Sequence, residues 1–208
     1  AAIEQRVAAI KQNLAKSAQN IKQYQWQETT VVSYKGEQKS STTNACSYDV
    51  DGKVVKVPEA APAPAEEKRG IRGKVADDKK AELSATMQSA VALLKTYVPP
   101  DPAKIEACKA AGKMTMTVTE PGKKATLDFK DYEKPGDDLG IEIDLTTNQI
   151  LGLSVASYLA DAKDTVNLTV VMAALPDGTG YRSTIKIDTP AEAMSVAITN
   201  SGYQKKAN

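Results

Sequence analysis

The sequence predicts an α+β fold, an antiparallel β-sheet covered by two or three α-helices. Three observations predict it. Apolar residues recur every three or four positions over residues 3–22 and again over 77–98, the period of a helix with one greasy face. Elsewhere, Thr- and Val-rich segments alternate along the chain, as strands with one buried face do. Those segments are joined by turns too short for parallel crossovers, so their pairing is antiparallel.

The first helix carries Ile3, Val7, Ile10, Leu14 and Ile21 on one side and Lys11, Asn13, Lys16 and Lys22 on the other. Such a stripe needs an apolar surface to lie on. From Tyr24 the chain turns to β structure. In "YQWQETTVVSYK", Tyr24, Trp26, Glu28, Thr30 and Val32 share one face. Lys35-Gly36-Glu37 and Asp51-Gly52 are hairpin turns, which makes the first three strands a meander. The Ala/Pro run of residues 58–65 then breaks the pattern, because proline donates nothing to a ladder and favours extended backbone.

The second helix runs from about Asp77 to Val98, with Leu83, Met87, Val91, Leu94 and Val98 in a stripe and "PPDP" as its stop. A short third helix fits residues 102–111, with Pro102 in its first turn and Gly112 after its end. About seven more strands follow at hairpin spacing, with turns at Pro121-Gly122, Thr147-Asn148-Gln149, Asp161-Ala162, Pro176-Asp177-Gly178 and Thr189-Pro190. The 208 residues are read as one domain, 1–208, with a spacer and hinge at 58–74.

Composition limits the chemistry. There is no histidine, which removes the usual general base and the commonest zinc ligand. The 27 Lys and Arg nearly cancel the 26 Asp and Glu, so no global field recruits nucleic acid. No apolar run is long enough for a transmembrane segment. The chain starts Ala1-Ala2 without methionine, a start that signal-peptide cleavage or plain trimming would each leave, and together with the family resemblance given below it makes export to the periplasm or beyond the expectation. Cys46 and Cys108 form either one disulfide, worth about 4 kcal/mol for a loop of that size, or two buried free thiols.

Several short motifs invite a functional reading and do not sustain it. "GIRG", residues 70–73, follows a Pro/Ala spacer, so it lacks the strand a phosphate loop needs and the helix an RNA-clamping loop needs. Arg69, Arg72 and Lys74 do lie just before a helix N-terminus, where free amides and the dipole favour an anion such as a lipid headgroup. The plainer reading is a solvated hinge whose charges pair with Glu66, Glu67, Asp77 and Asp78. "DVDGK", residues 49–53, lacks the later ligands of a calcium loop and reads as a β-turn. Asp137 and Asp138 read as turn residues, while Glu142 and Asp144 read as the outer face of a strand rather than a catalytic carboxylate pair. Trp26, Met87, Val91, Leu94, Met114, Met116, Phe129 and Met172 either line an apolar ligand cavity or form ordinary core.

The layout resembles the LolA/LolB-like superfamily of bacterial envelope proteins. The residues that carry the resemblance are the opening helix running into "YQWQETTVVSYKGE", then "YDVDGKVVKV", the hairpin "IEIDLTTNQILGLSVA" and the closing "LPDGTGYRSTIKID…MSVAITNSGYQ". The resemblance implies a curved half-barrel sheet wrapped around the helices, with an apolar cavity between them for acyl chains. It also implies a periplasmic or secreted, non-enzymatic protein without cofactor or metal, whose partner is a lipid or lipoprotein. The aromatic content is low for such a cavity: one Trp, one Phe and eight Tyr. The alternative is an envelope structural or sensory module whose core is filled and holds no ligand.

Overall fold

The computed structural model describes residues 2–59 and 71–206. Among them, three α-helices, α1 (Ala2–Asn20), α2 (Ile71–Leu94) and α3 (Pro102–Ala110), accompany a ten-stranded sheet. The strands are β1 (Tyr24–Tyr34), β2 (Glu37–Tyr48), β3 (Val54–Pro58), β4 (Met114–Glu120), β5 (Lys124–Lys130), β6 (Asp138–Asp144), β7 (Gln149–Tyr158), β8 (Thr165–Ala174), β9 (Gly180–Thr189) and β10 (Met194–Lys205). Their order is β3-β2-β1-β10-β9-β8-β7-β6-β5-β4, antiparallel throughout and open at both edges. Two meanders, β1–β3 and β4–β10, are therefore fused where the first strand pairs with the last.

That topology leaves one long connection. The chain leaves the sheet at the β3 edge and re-enters at the β4 edge, and α2 and α3 lie on the path between them. Nine inter-strand spacings of about 4.8 Å separate the edges by about 43 Å along the sheet. At about 1.5 Å per residue, the 24 residues of α2 cover about 36 Å of that distance. Helix α2 starts at Ile71 rather than Asp77, so residues 71–74, expected in the hinge, are its first turn. Only Gly73 opposes a helix there, at about 1 kcal/mol, and its neighbours are good helix formers. The rest of the Ala/Pro spacer beyond Glu59 lies outside the described residues. Helix α2 ends at Leu94 rather than Val98, because the Thr96 hydroxyl (2.8 Å) and amide (3.0 Å) both take the Leu93 carbonyl and tighten the last turn. Helix α3 follows expectation: the Asp101 side chain caps it by accepting from the Ala103 amide at 2.8 Å, and Gly112 follows its end at φ +69°.

Alternation gives the sheet one continuous inward face, and cross-strand register keeps it in phase. Leu139, Ile141 and Ile143 of β6 lie beside Leu153 and Val155 of β7, which lie beside Leu168 and Val170 of β8. Ala90 and Leu94 of α2 and Cys108 of α3 pack onto that face and close the core over β5–β9. Tyr97, just past α2, is fully buried; its hydroxyl donates to Asp137 Oδ2 at 2.5 Å and lies 2.8 Å from Ser157 Oγ. Burial and the Asp137 bond both push the Tyr97 hydroxyl well above its ordinary pKa. Asp137 also accepts the Lys134 amide at 2.9 Å, so this carboxylate is the keystone of the β5–β6 turn. Replacing Tyr97 with Phe removes the hydroxyl from two buried polar partners. Urea unfolding is expected to show a loss of about 1–3 kcal/mol.

Candidate functional site

The other part of the inward face is not closed by α2. Helix α1 lies over it, and α1 is tied down chiefly along its polar side. Arg6 Nη1 donates to the Leu145 carbonyl (2.5 Å) and to Asn148 Oδ1 (2.8 Å), both in the β6–β7 turn. Asn13 Nδ2 donates to the Thr147 and Asn148 carbonyls of the same turn, each at 3.1 Å. Farther along, Ser17 Oγ accepts the Gly180 amide at 2.9 Å, and Asn20 Nδ2 donates to Thr179 Oγ1 at 3.3 Å. In an antiparallel sheet the β6–β7 and β8–β9 turns lie at the same end. Helix α1 therefore runs along that rim, crossing the ends of β7 and β9 before it feeds β1 through a 3₁₀ turn at Ile21–Gln23.

Held this way, α1 covers its stripe only in part, with Ile10 packed on the core. Val7 is 44% and Leu14 43% exposed. Between the helix and the sheet lies a cleft of about 670 Å³. Its apolar walls include Ile10, Leu14 and Ile21 of α1, Ile150, Met172 and Ile185. Its charged groups are Lys22, Glu28, Lys56 and Arg182, and Asn200 is among its uncharged polar ones.

One end of the cleft is aromatic. Trp26 stacks on Tyr203 with ring centroids 5.6 Å apart and planes 10° from parallel, and lies 5.4 Å from Tyr48. Tyr181 lies 4.4 Å from Tyr203. The indole Nε1 donates to Asn200 Oδ1 at 3.0 Å, so the buried ring has its polar handle satisfied. At the rim, the Tyr24 hydroxyl donates to Asp177 Oδ2 at 2.6 Å. That bond, with the Thr179 hydroxyl and amide, holds the Asp177 carboxyl down to about 2.

Two β-bulges build this end. Gln25 pairs with Gln204 and Gln27 with Ser201, so the single residue Trp26 faces both Gly202 and Tyr203, and Gly202 takes φ +64°. Val171 pairs with Thr184 but Met172 with Arg182, which leaves Ser183 as the extra residue. Strict alternation from Ile198 and from Ile185 would send Tyr203 and Arg182 to the outer face. Each bulge shifts the phase by one residue and puts them in the cleft.

Glu28 also points inward and is only 8% exposed. Its charge is met by Lys56 Nζ at 2.6 Å from Oε1. Cys46, opposite Trp26 in the ladder, lies on the same face; burial and the neighbouring Glu28 raise its thiol above its ordinary pKa.

The residues expected to line one cavity are divided. Trp26 and Met172 line the cleft. Leu94 and Phe129 are buried in the closed core, with Met87, Val91 and Met114 packed partly buried against it. Met116 is half-exposed on the edge strand β4, which has a neighbour on one side only. Arg69 lies outside the described residues, and Arg72 and Lys74 are known only as backbone in the first turn of α2. Of the two alternatives for Cys46 and Cys108, the structure has two buried free thiols. They belong to β2, second in the strand order, and to α3, which packs on β5, ninth in that order. The few aromatics are concentrated here, with Tyr24, Trp26, Tyr48, Tyr181 and Tyr203 gathered at this end. Asp49 accepts the Asp51 and Lys53 amides at 2.9 and 2.8 Å, which makes "DVDGK" a hairpin turn.

No family model matches the chain, and no curated protein matches it. Among solved structures it is similar to a LolA superfamily protein from Nitrosomonas europaea, at 7% identity and a TM-score of 0.41, over 96% of this chain and 94% of that one. It is also similar to a DUF1329 family protein from Desulfovibrio piger, at 13% identity and a TM-score of 0.40, over the same shares. The first bears the superfamily name that the sequence resembles. Likeness of this degree assigns no function to the chain.

Replacing Lys56 with Met strands the Glu28 carboxylate in the cleft without its cation. A loss of about 1–3 kcal/mol in urea unfolding at neutral pH is expected. The double replacement Glu28→Gln with Lys56→Met should recover most of it, because no lone buried charge remains.

Proposed function

We propose that this protein is an exported, non-enzymatic binding protein that holds a hydrophobic ligand, a lipid or the acyl chain of a lipidated partner, between α1 and the sheet. In this reading the open sheet curves as a half-barrel about α1 and α2, and the whole chain acts as one domain. The observation that carries the reading is the cleft itself: about 670 Å³ beneath a helix whose apolar stripe is left half-uncovered. Apolar surface left in water costs about 25 cal/mol per Å², so an acyl chain that covers the stripe binds with that surface as its driving force. The volume falls in the range of about 300–1,000 Å³ usual for small-molecule sites. The carboxylates best placed for chemistry are occupied structurally: Glu28 by Lys56, Asp137 by Tyr97 and turn amides, and Asp144 by Thr146 and Thr147. The resemblance supports export.

Trp26 is the sole tryptophan and stands in the cleft, so its fluorescence reports on occupancy. Native mass spectrometry of protein purified from its own host should show an added lipid mass. After organic extraction, returning that lipid should change the Trp26 emission. A clean apo mass together with an emission indifferent to added lipids would overturn the reading and leave a structural or sensory module with a filled cleft.

A further inference from the structure

The charges of the cleft are unequal. Lys22, Lys56 and Arg182 line it against one carboxylate, Glu28. Glu28 is engaged by Lys56 at 2.6 Å, which leaves the other two cations over. Among the described residues, neither Lys22 nor Arg182 forms an ion pair or a side-chain hydrogen bond. The rim carboxylate Asp177 does not neutralise them, since it is taken by the Tyr24 hydroxyl at 2.6 Å and by Lys205 at 3.7 Å.

Arg182 is not there by the default phase of its strand. The extra residue Ser183 turns it from the outer face into the cleft, and Ser183 Oγ fixes that irregularity by donating to the Val171 carbonyl at 3.0 Å. The Arg182 carbonyl accepts Asn200 Nδ2 at 2.9 Å, and Asn200 in turn accepts the Trp26 indole. The guanidinium acts on the Tyr203 hydroxyl, where its charge opposes the upward push of burial. A solvent-exposed guanidinium, unpaired among the described residues, thus stands beside the aromatic end of the cleft, an arrangement that offers a forked donor to a carboxylate or phosphate oxygen.

We propose that the cleft selects a single-chain amphiphile with an anionic head, its tail under α1 along Ile10, Leu14 and Met172 and its head on Arg182, with Lys22 at the other side of the mouth. This inference rests on the ligand-binding reading above and adds the sign of the head group.

The test titrates the full chain with four twelve-carbon probes below their micelle-forming concentrations: dodecanoate, dodecyl phosphate, dodecanol and dodecyltrimethylammonium. Trp26 emission is the readout. At least one anion should bind about tenfold or more tightly than dodecanol, and the cationic probe should bind most weakly. Arg182→Gln should weaken the anions about tenfold and leave dodecanol unchanged, Arg182→Lys should restore part of the loss, and Lys22→Gln should give a smaller loss in the same sense. A tighter dodecyl phosphate assigns the head to a phosphate monoester, and a tighter dodecanoate to a carboxylate. Equal binding of all four probes, insensitive to Arg182→Gln, overturns the charge selection and leaves a binding cleft. Failure of all four to move Trp26 in wild-type protein overturns both.

Discussion

A ten-stranded antiparallel sheet has a long inward face to cover, and the helices of this chain cover it unevenly. Over β5–β9 that face is aliphatic, and α2 and α3 close it into ordinary core. Toward β10, β1, β2 and β3 the same face carries Glu28, Lys56, Asn200 and the aromatic group, a more polar surface than an amphipathic helix's apolar stripe covers well. Helix α1 sits over the boundary between these regions. Its hydrogen bonds run to the turns at the sheet's rim, through Arg6, Asn13, Ser17 and Asn20, and they hold the helix along that rim, where Ile10 packs on the edge of the core while Val7 and Leu14 stay half-exposed. The cleft is the space this compromise leaves.

The polar part of the cleft depends on long-range pairing. Trp26 and Tyr203 belong to opposite ends of the chain and meet only because β1 pairs with β10. At that seam the Gly202–Tyr203 bulge, and on the neighbouring strand β9 the Ser183 bulge, each convert an outward residue into a lining one. Irregularities of this kind interrupt the ladder, and here both bring a side chain with a polar end to the same mouth. Glu28 and Lys56 supply a fixed, neutralised pair beside them, so the remaining positive charge at the mouth is that of Arg182 and Lys22.

Much of the frame was legible in the sequence because it rests on local chemistry. The stripe Ile10, Leu14, Ile21 marked α1; Asp51-Gly52 and Pro121-Gly122 marked hairpins; Pro102 and Gly112 marked the ends of α3. The phase of β1 also placed Glu28 on the face of Tyr24 and Trp26, and a carboxylate on a strand's buried side was a signal of a polar site. What stayed hidden depends on partners distant in sequence. Alternation puts Tyr203 and Arg182 outside unless the bulges are known, and a bulge shows itself only in the register with another strand. Phe129 and Leu94 have the same greasy character as Met172, and only the packing of α2 decides which of them lies in core and which beside a cleft. The early start of α2 at Ile71 follows from its neighbours outweighing Gly73, a sum no single residue announces.

The central claim is that α1 stands off the sheet over a preformed space. The direct measurement is the urea unfolding free energy of Ala18→Leu, a replacement on the cleft-lining side of α1. Standing over open space, the added methyl and methylene groups meet the cleft walls without collision, and stability is predicted to stay within about 0.5 kcal/mol of the original or to rise. A loss of about 1–3 kcal/mol, the usual cost of forcing extra volume into a close-packed interface, would contradict the account.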